Sequence, residues 1–174
     1  MKKTFIVILM ILIVIMLYKN KNESVKIPDS AIRFRILANS NSPRDQKIKT
    51  DIKDKMQKEL YSLLKNSKGI EDSRRIINEN MNDFDSILKD STKDLEYSYS
   101  IDYGMHYFPS KIYKGITYDE GNYESLLVTL GEGKGDNWWC VLFPPLCMLE
   151  AEENEDSKNI EYKYFIKEII EKYF

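Results

Sequence analysis

One histidine and two cysteines set the range of covalent and metal chemistry open to this chain of 174 residues. A cysteine nucleophile needs an imidazole to take its proton, so Cys140 with His106 as base, and Asp136 or Asn137 to orient the ring, would make a hydrolase dyad. The same three side chains, His106, Cys140 and Cys147, would have to converge to hold a metal, because paired-histidine zinc motifs are excluded by the single histidine. Both arrangements are weak expectations, since Met105-His106-Tyr107-Phe108-Pro109 is a setting in which a hydrogen-bonded structural histidine, or an exposed one, is commoner. Gly131-x-Gly133-x-Gly135 is not a phosphate loop: it lacks the G-K-[ST] ending, runs into Asp136 and opens no helix. No paired-carboxylate motif stands out among the 28 acids, and no cofactor is expected.

The residue types hardest to place at random are concentrated between Gly131 and Cys147, which hold both tryptophans, both cysteines, three of the seven glycines and two of the five prolines. The glycines permit a turn that other residues resist, and Pro144-Pro145 stops any ladder or helix that reaches them. Between these breaks, Trp138 to Phe143 reads as a short strand. In a strand, successive side chains face opposite ways, so Trp138 and Trp139 cannot both enter one core. One reading is a wholly buried strand; the other leaves a tryptophan at the surface, where tryptophan is enriched at binding hot spots. Asn137, Trp138 and Trp139 are therefore the first candidates for a partner contact.

The elements that must position these residues are legible in part. Residues 1–19 open with Lys2 and Lys3 and continue as an apolar run from Phe5 to Leu17, which reads as a signal peptide or an uncleaved membrane anchor. Residues 20–27 are a polar spacer and 28–149 the exported domain. Export favours a disulfide between Cys140 and Cys147, with two buried free thiols as the alternative. Without residues 1–19, which carry Lys2, Lys3 and Lys19 and no acid, 23 basic residues face 28 acidic ones, a net charge near −5 that disfavours nucleic acid.

Alternation over Ala31 to Ala38 gives a half-buried strand with Ile32, Phe34 and Ile36 inward and Arg33 and Arg35 on an exposed face, the second pair of contact candidates. Ser42 as N-cap and Pro43 at the first helical position start a helix whose stripe is Ile48, Ile52, Met56, Leu60, Leu63 and Leu64. A second helix carries Ile70, Ile77, Met81, Phe84 and Leu88. The period then becomes two, giving a strand from Leu95 to Tyr103, others over Ile112 to Tyr118 and Tyr123 to Leu130, and a last one at Trp138 to Phe143. The expected fold is α+β: a small antiparallel or mixed sheet covered by two amphipathic helices, with an N-terminal hydrophobic export segment and a C-terminal amphipathic helix. Residues 150–159 read as an acidic linker, and 160–174 as that helix, either docked on the domain or freed by the linker to reach a membrane or receptor.

G-D-N-W-W-C-V-L-F-P-P-L-C, ending at Cys147, resembles the signature of the stage II sporulation protein R family of endospore-forming bacteria. I-P-D-S-A-I-R-F-R-I-L-A-N-S-N-S, from Ile27 to Ser42, is similar to the start of that family's exported domain. Y-x-x-G-x-Y-E-S-L-L-V-T-L-G-E-G from Tyr118 to Gly133 fits between them. The segment between Cys147 and the terminal helix is shorter than family members often carry. The resemblance implies a signalling protein and not an enzyme: made in the forespore, exported into the intermembrane space, and activating the membrane-embedded aspartic protease that processes the sigma-E precursor in the mother cell. Alternatives from other classes are an exported cysteine-dependent envelope hydrolase and an envelope-binding adaptor.

Overall fold

A computed structural model describes residues 27–113, 116–148 and 168–173. The export segment, most of the spacer and the acidic linker lie outside these residues. Ile32–Leu37 forms β1, followed by helices α1 (Pro43–Leu64), α2 (Ile70–Glu79) and α3 (Met81–Thr92). The chain then forms β2 (Tyr99–Phe108), the short β3 (Lys111–Tyr113) and β4 (Ile116–Tyr118), β5 (Gly121–Leu130) and β6 (Asn137–Phe143). A single 3-10 turn, Leu146–Met148, follows.

The main sheet has the order β2-β5-β1-β6. It is mixed: β1 runs parallel to β5 and antiparallel to β6, while β2 and β5 are antiparallel. The parallel pair exists because three helices and three strands intervene between its members, long enough for the crossover a parallel pairing requires. The α+β expectation holds, with three corrections. Two helices become three, because Asn80 interrupts the second stripe: its Nδ2 donates to the Ile76 carbonyl at 2.7 Å, and its backbone leaves helical geometry at ψ 13°. Asparagine competes with the helix ladder in this way at helix ends. The strand expected over Ile112 to Tyr118 is instead a hairpin of β3 with β4, a separate two-stranded sheet. The Leu95 to Tyr103 strand starts later and runs on to Phe108.

All three helices cover one face of the sheet. There Ile32, Phe34 and Ile36 of β1, with Leu126, Val128 and Leu130 of β5, bury against Ile52, Met56 and Leu60 of α1, Ile77 of α2 and Phe84 and Leu88 of α3. Each such side chain contributes about 1.5–3 kcal/mol of burial. The opposite face carries a smaller cluster of Ile27, Ala31, Tyr118, Val141 and Leu146, against which Trp139, Ile169 and Ile170 pack.

Candidate partner-binding face

The two blocks that stand out in the sequence meet in space. Strands β1 and β5 are parallel, so the loops leaving their C-terminal ends lie side by side: 38–42 after β1 and 131–136 after β5. The second loop donates backbone N–H groups to the first, from Lys134 to the Asn39 carbonyl (3.2 Å) and from Gly135 to that of Ala38 (2.9 Å). Side chains complete the seam. Asn39 Oδ1 accepts from the Glu132 N–H at 3.0 Å, and Asn41 Oδ1 from the Asp136 N–H at 2.6 Å. A Cβ on Gly131 would collide with the Asn39 side chain, and one on Gly135 with the Ser40 carbonyl. The glycines therefore serve close approach between loops, and Gly131 also takes φ 54°.

Asp45 anchors this junction to α1. Its carboxylate accepts from Ser40 Oγ (2.6 Å), Asn39 Nδ2 (2.9 Å) and the Tyr97 hydroxyl (2.9 Å), while its N–H donates to the Ser42 cap at 3.1 Å. The Ser40 hydroxyl foremost, then Asn39 and Tyr97, hold the acid below its ordinary range against the opposing effect of burial. Burial and the bond to Asp45 in turn push the Tyr97 hydroxyl up to about 12. Local sequence does not mark Asp45 as the centre of four partners, because Tyr97 is brought in from 52 residues away.

Strand β6 splits the tryptophans as expected. Trp138 lies on the helix side, edge-on to Phe34 with centroids 5.6 Å apart and with the Lys53 ammonium 5.7 Å above it. Trp139 lies on the other face, edge-on to Tyr118 (4.6 Å) and Phe108 (5.7 Å). Asn137 pairs with Leu37 at the start of the strand, and all three are half-buried. Cys140 and Cys147 are joined by a disulfide across the Pro144-Pro145 turn, with Cα atoms 5.4 Å apart. Both sulfurs are thereby committed, so the Cys140–His106 dyad is not formed, and among the described residues no group of potential metal ligands gathers.

His106 has other partners. Its ring nitrogens meet Ser125 Oγ at 2.7 Å through Nδ1 and Asp102 Oδ2 at 2.9 Å through Nε2. The grouping shares residue types with a serine triad, but the serine and acid sit on the opposite nitrogens, and Ser125 is wholly buried in β5. The arrangement ties β2 to β5 on the face opposite the helices.

Arg33 departs most from expectation. It is 0% exposed, so the reading of a solvated cationic face is corrected at this position. Its guanidinium carbon stands 3.3 Å from the centroid of Tyr123, 5.1 Å from Phe108, 5.4 Å from Trp139 and 6.0 Å from Tyr118. Alternation alone gives the face of a strand, not what covers that face. Here aromatic residues of β2, β4, β5 and β6, all distant in sequence, supply the cover. None of the three guanidinium nitrogens has a hydrogen-bond partner. The Tyr123 hydroxyl donates to the Asp119 carbonyl at 3.0 Å, and its ring faces the guanidinium. Burial lowers the arginine's pKa, offset first by Tyr123 and then by Tyr118 and Asp29. Cation–π contact returns about 2 kcal/mol in a dry site, less than the several kcal/mol lost on desolvating the ion. Arg35, half-buried, donates from Nη1 to the Tyr107 carbonyl at 3.0 Å and keeps Nε buried without a partner.

Fold and site thus define a disulfide-bridged α+β domain in which two sequence blocks are locked together at one end of a mixed sheet. A family model described as stage II sporulation protein R matches residues 28–153, covering both blocks. The chain belongs to that family, which gives it a sporulation role. It is 43% identical over 156 residues to the stage II sporulation protein R of Bacillus subtilis strain 168, covering 88% of this chain and 70% of the relative. No solved structure matches it.

Proposed function

We propose that the chain is an exported developmental signal: made in the forespore, secreted or N-terminally anchored, and activating the membrane-embedded aspartic protease that processes the sigma-E precursor. The protease supplies the catalysis, and this domain supplies a surface. The observation that supports this reading best is the position of Asn137 and Trp139. Both stand half-buried on β6, an edge strand of the sheet, directly after the locked loops. A half-exposed tryptophan on a rigid edge is the form a binding anchor takes.

The two tryptophans are expected to separate in an assay. Co-expression of the chain with its protease and the precursor in a non-sporulating host, at matched secretion, reads precursor cleavage. An Asn137→Ala, Trp139→Ala variant also loses packing against Tyr118 and Phe108, and is expected to reduce cleavage per folded molecule by about 30-fold, the equivalent of roughly 2 kcal/mol at a hot spot. Trp138→Ala instead removes packing against Phe34, so it is expected to lose about 3 kcal/mol of stability, with cleavage falling only as folded protein does. A folded, secreted wild-type chain that elicits no cleavage would overturn the proposal, and retention on purified cell wall would then favour an envelope-binding adaptor.

A further inference from the structure

Strand β2 is an edge of the main sheet, and among the described residues no strand pairs with its outer side. All ten of its residues, Tyr99–Phe108, pair with β5 without a register shift, whereas β6 at the other edge shifts against Ile32 and Arg33. Bulges, prolines and lysines are the usual devices that keep an edge from pairing with another chain. Strand β2 contains none of them. The helices cover its first half, where the Tyr99 hydroxyl donates to Asp85 Oδ1 of α3 at 2.9 Å and the Tyr103 hydroxyl to Glu124, which Arg74 of α2 also holds. Beyond Tyr103 on the same face, Met105 is 66% exposed and Tyr107 56%.

We propose that β2 pairs antiparallel with β2 of a second copy of this chain, joining the two sheets about a two-fold axis at Gly104. The strand's own sequence is what selects a second copy as the occupant. An axis perpendicular to the joined sheet keeps each face continuous, so it passes through one residue of β2, and that residue fixes every pair. Centred on Gly104, it sets Asp102 opposite His106, Tyr103 opposite Met105 and Ile101 opposite Tyr107, each in both directions. A carboxylate opposite an imidazole, sulfur against a ring and a ring against a β-branched chain are all stabilising neighbours across a ladder. Moving the axis to Tyr103 sets Asp102 against Gly104, moving it to Met105 sets Asp102 against Phe108, and moving it to Asp102 sets that carboxylate against itself. Within one copy Asp102 Oδ2 already reaches His106 Nε2 at 2.9 Å across Gly104, where no side chain intervenes. The axis also sets the helix-covered half of each strand against the bare half of the other, so Met105 and Tyr107 gain cover and the two helix layers do not compete for one space.

The test is sedimentation equilibrium of the purified full chain in detergent micelles, together with oxidative cross-linking. Wild type is expected to dimerise with a Kd on the order of 10 µM, as suits a small, reversible interface. A Met105→Lys, Tyr107→Lys variant puts cations at exposed positions of the edge; it is expected to raise that Kd at least about 30-fold and to leave Tm within about 2 °C. Gly104→Cys reads the register, because the paired Cα atoms would stand about 4.5–5.5 Å apart, within reach of a disulfide. A Cβ there meets Asp102 at an ordinary 3.5 Å. Ser100→Cys is the control: Ser100 lies opposite Phe108, which leaves its two copies roughly 26 Å apart along the seam. Gly104→Cys is expected to cross-link at least about 10-fold faster than Ser100→Cys, and decides the matter if the lysine variant does not fold. A wild type still monomeric at about 300 µM, an unchanged Kd in the folded lysine variant, or cross-linking at Ser100 as fast as at Gly104 would each overturn the proposal, and a monomer would leave the β2 edge to a strand of a different protein.

Discussion

Asp45 is the residue on which the joined loops depend, and its chemistry gives a stability test with a definite sign. Its folded pKa lies below the ordinary 3.8, so the stability it supplies is present in full above that value and lost as pH falls through the depressed folded one. Asp45→Asn removes the charge that strengthens the bonds from Ser40, Asn39 and Tyr97, and is expected to lose about 2 kcal/mol at neutral pH. The difference from wild type should shrink in strongly acid solution, where both side chains are neutral; urea unfolding across the acid range measures it, and a constant difference would reject the assignment. The asparagines and serines around it were legible as a turn and helix cap, because those roles are local. Arg33 was misread for the opposite reason: period-two alternation assigned it correctly to the face away from the helices, but the rings that bury it come from four other strands.

At the scale of elements, the sequence was most legible where the physics is local and least where two elements share one pattern. The α1 stripe, its Ser42 cap and the strands β1, β5 and β6 stand where periodicity put them, while the stripe from Ile70 to Leu88 hides a break at Asn80 because the spacing of apolar residues continues across it. The disulfide belongs to this scale as well. It ties β6 to the 3-10 turn after Pro145, and α1 holds the same turn through Gln57 Nε2, which donates to the Cys147 carbonyl. Closing so short a loop contributes roughly 2.5 kcal/mol in the chain-entropy picture. The Cys140→Ser, Cys147→Ser variant is therefore expected to unfold at lower urea by that amount, and dithiothreitol is expected to destabilise wild type but not the variant. Equal stability of oxidised and reduced wild type would remove the bridge from the account of this fold.

For the molecule as a whole, the two faces of the sheet divide the work, and the end of the chain bears on which face is open. Helices α1 to α3 close one face; on the other, residues 168–173 bring Ile169 and Ile170 onto the cluster of Val141 and Leu146, while Tyr173 joins the helix-side core, edge-on to Phe143 at 5.3 Å. The sequence left open whether an acidic tether frees the terminal helix to reach a membrane, since an amphipathic stripe serves docking and lipid contact equally. In the structure Ile169, Ile170 and Tyr173 of that stripe pack on the domain. An Ile169→Ala, Tyr173→Ala variant is expected to lose about 2 kcal/mol of stability, the sum of one partly buried aliphatic contact and one aromatic pair. Calorimetry on the purified chain measures this, and an unchanged Tm would reject docking. The same figure bears on function: a docking energy of about 2 kcal/mol leaves the helix released in roughly one molecule in thirty, so a partner that needs it must bind the released form about that much more tightly to draw it out. Contact through β6 carries no such requirement, since Asn137 and Trp139 stand on an edge strand held by its neighbours. If the helix is a receptor contact, Leu146→Ala, which loosens its seat and keeps its own side chains, should signal more strongly than wild type; if β6 is the contact, that variant should signal less, in proportion to the folded protein lost.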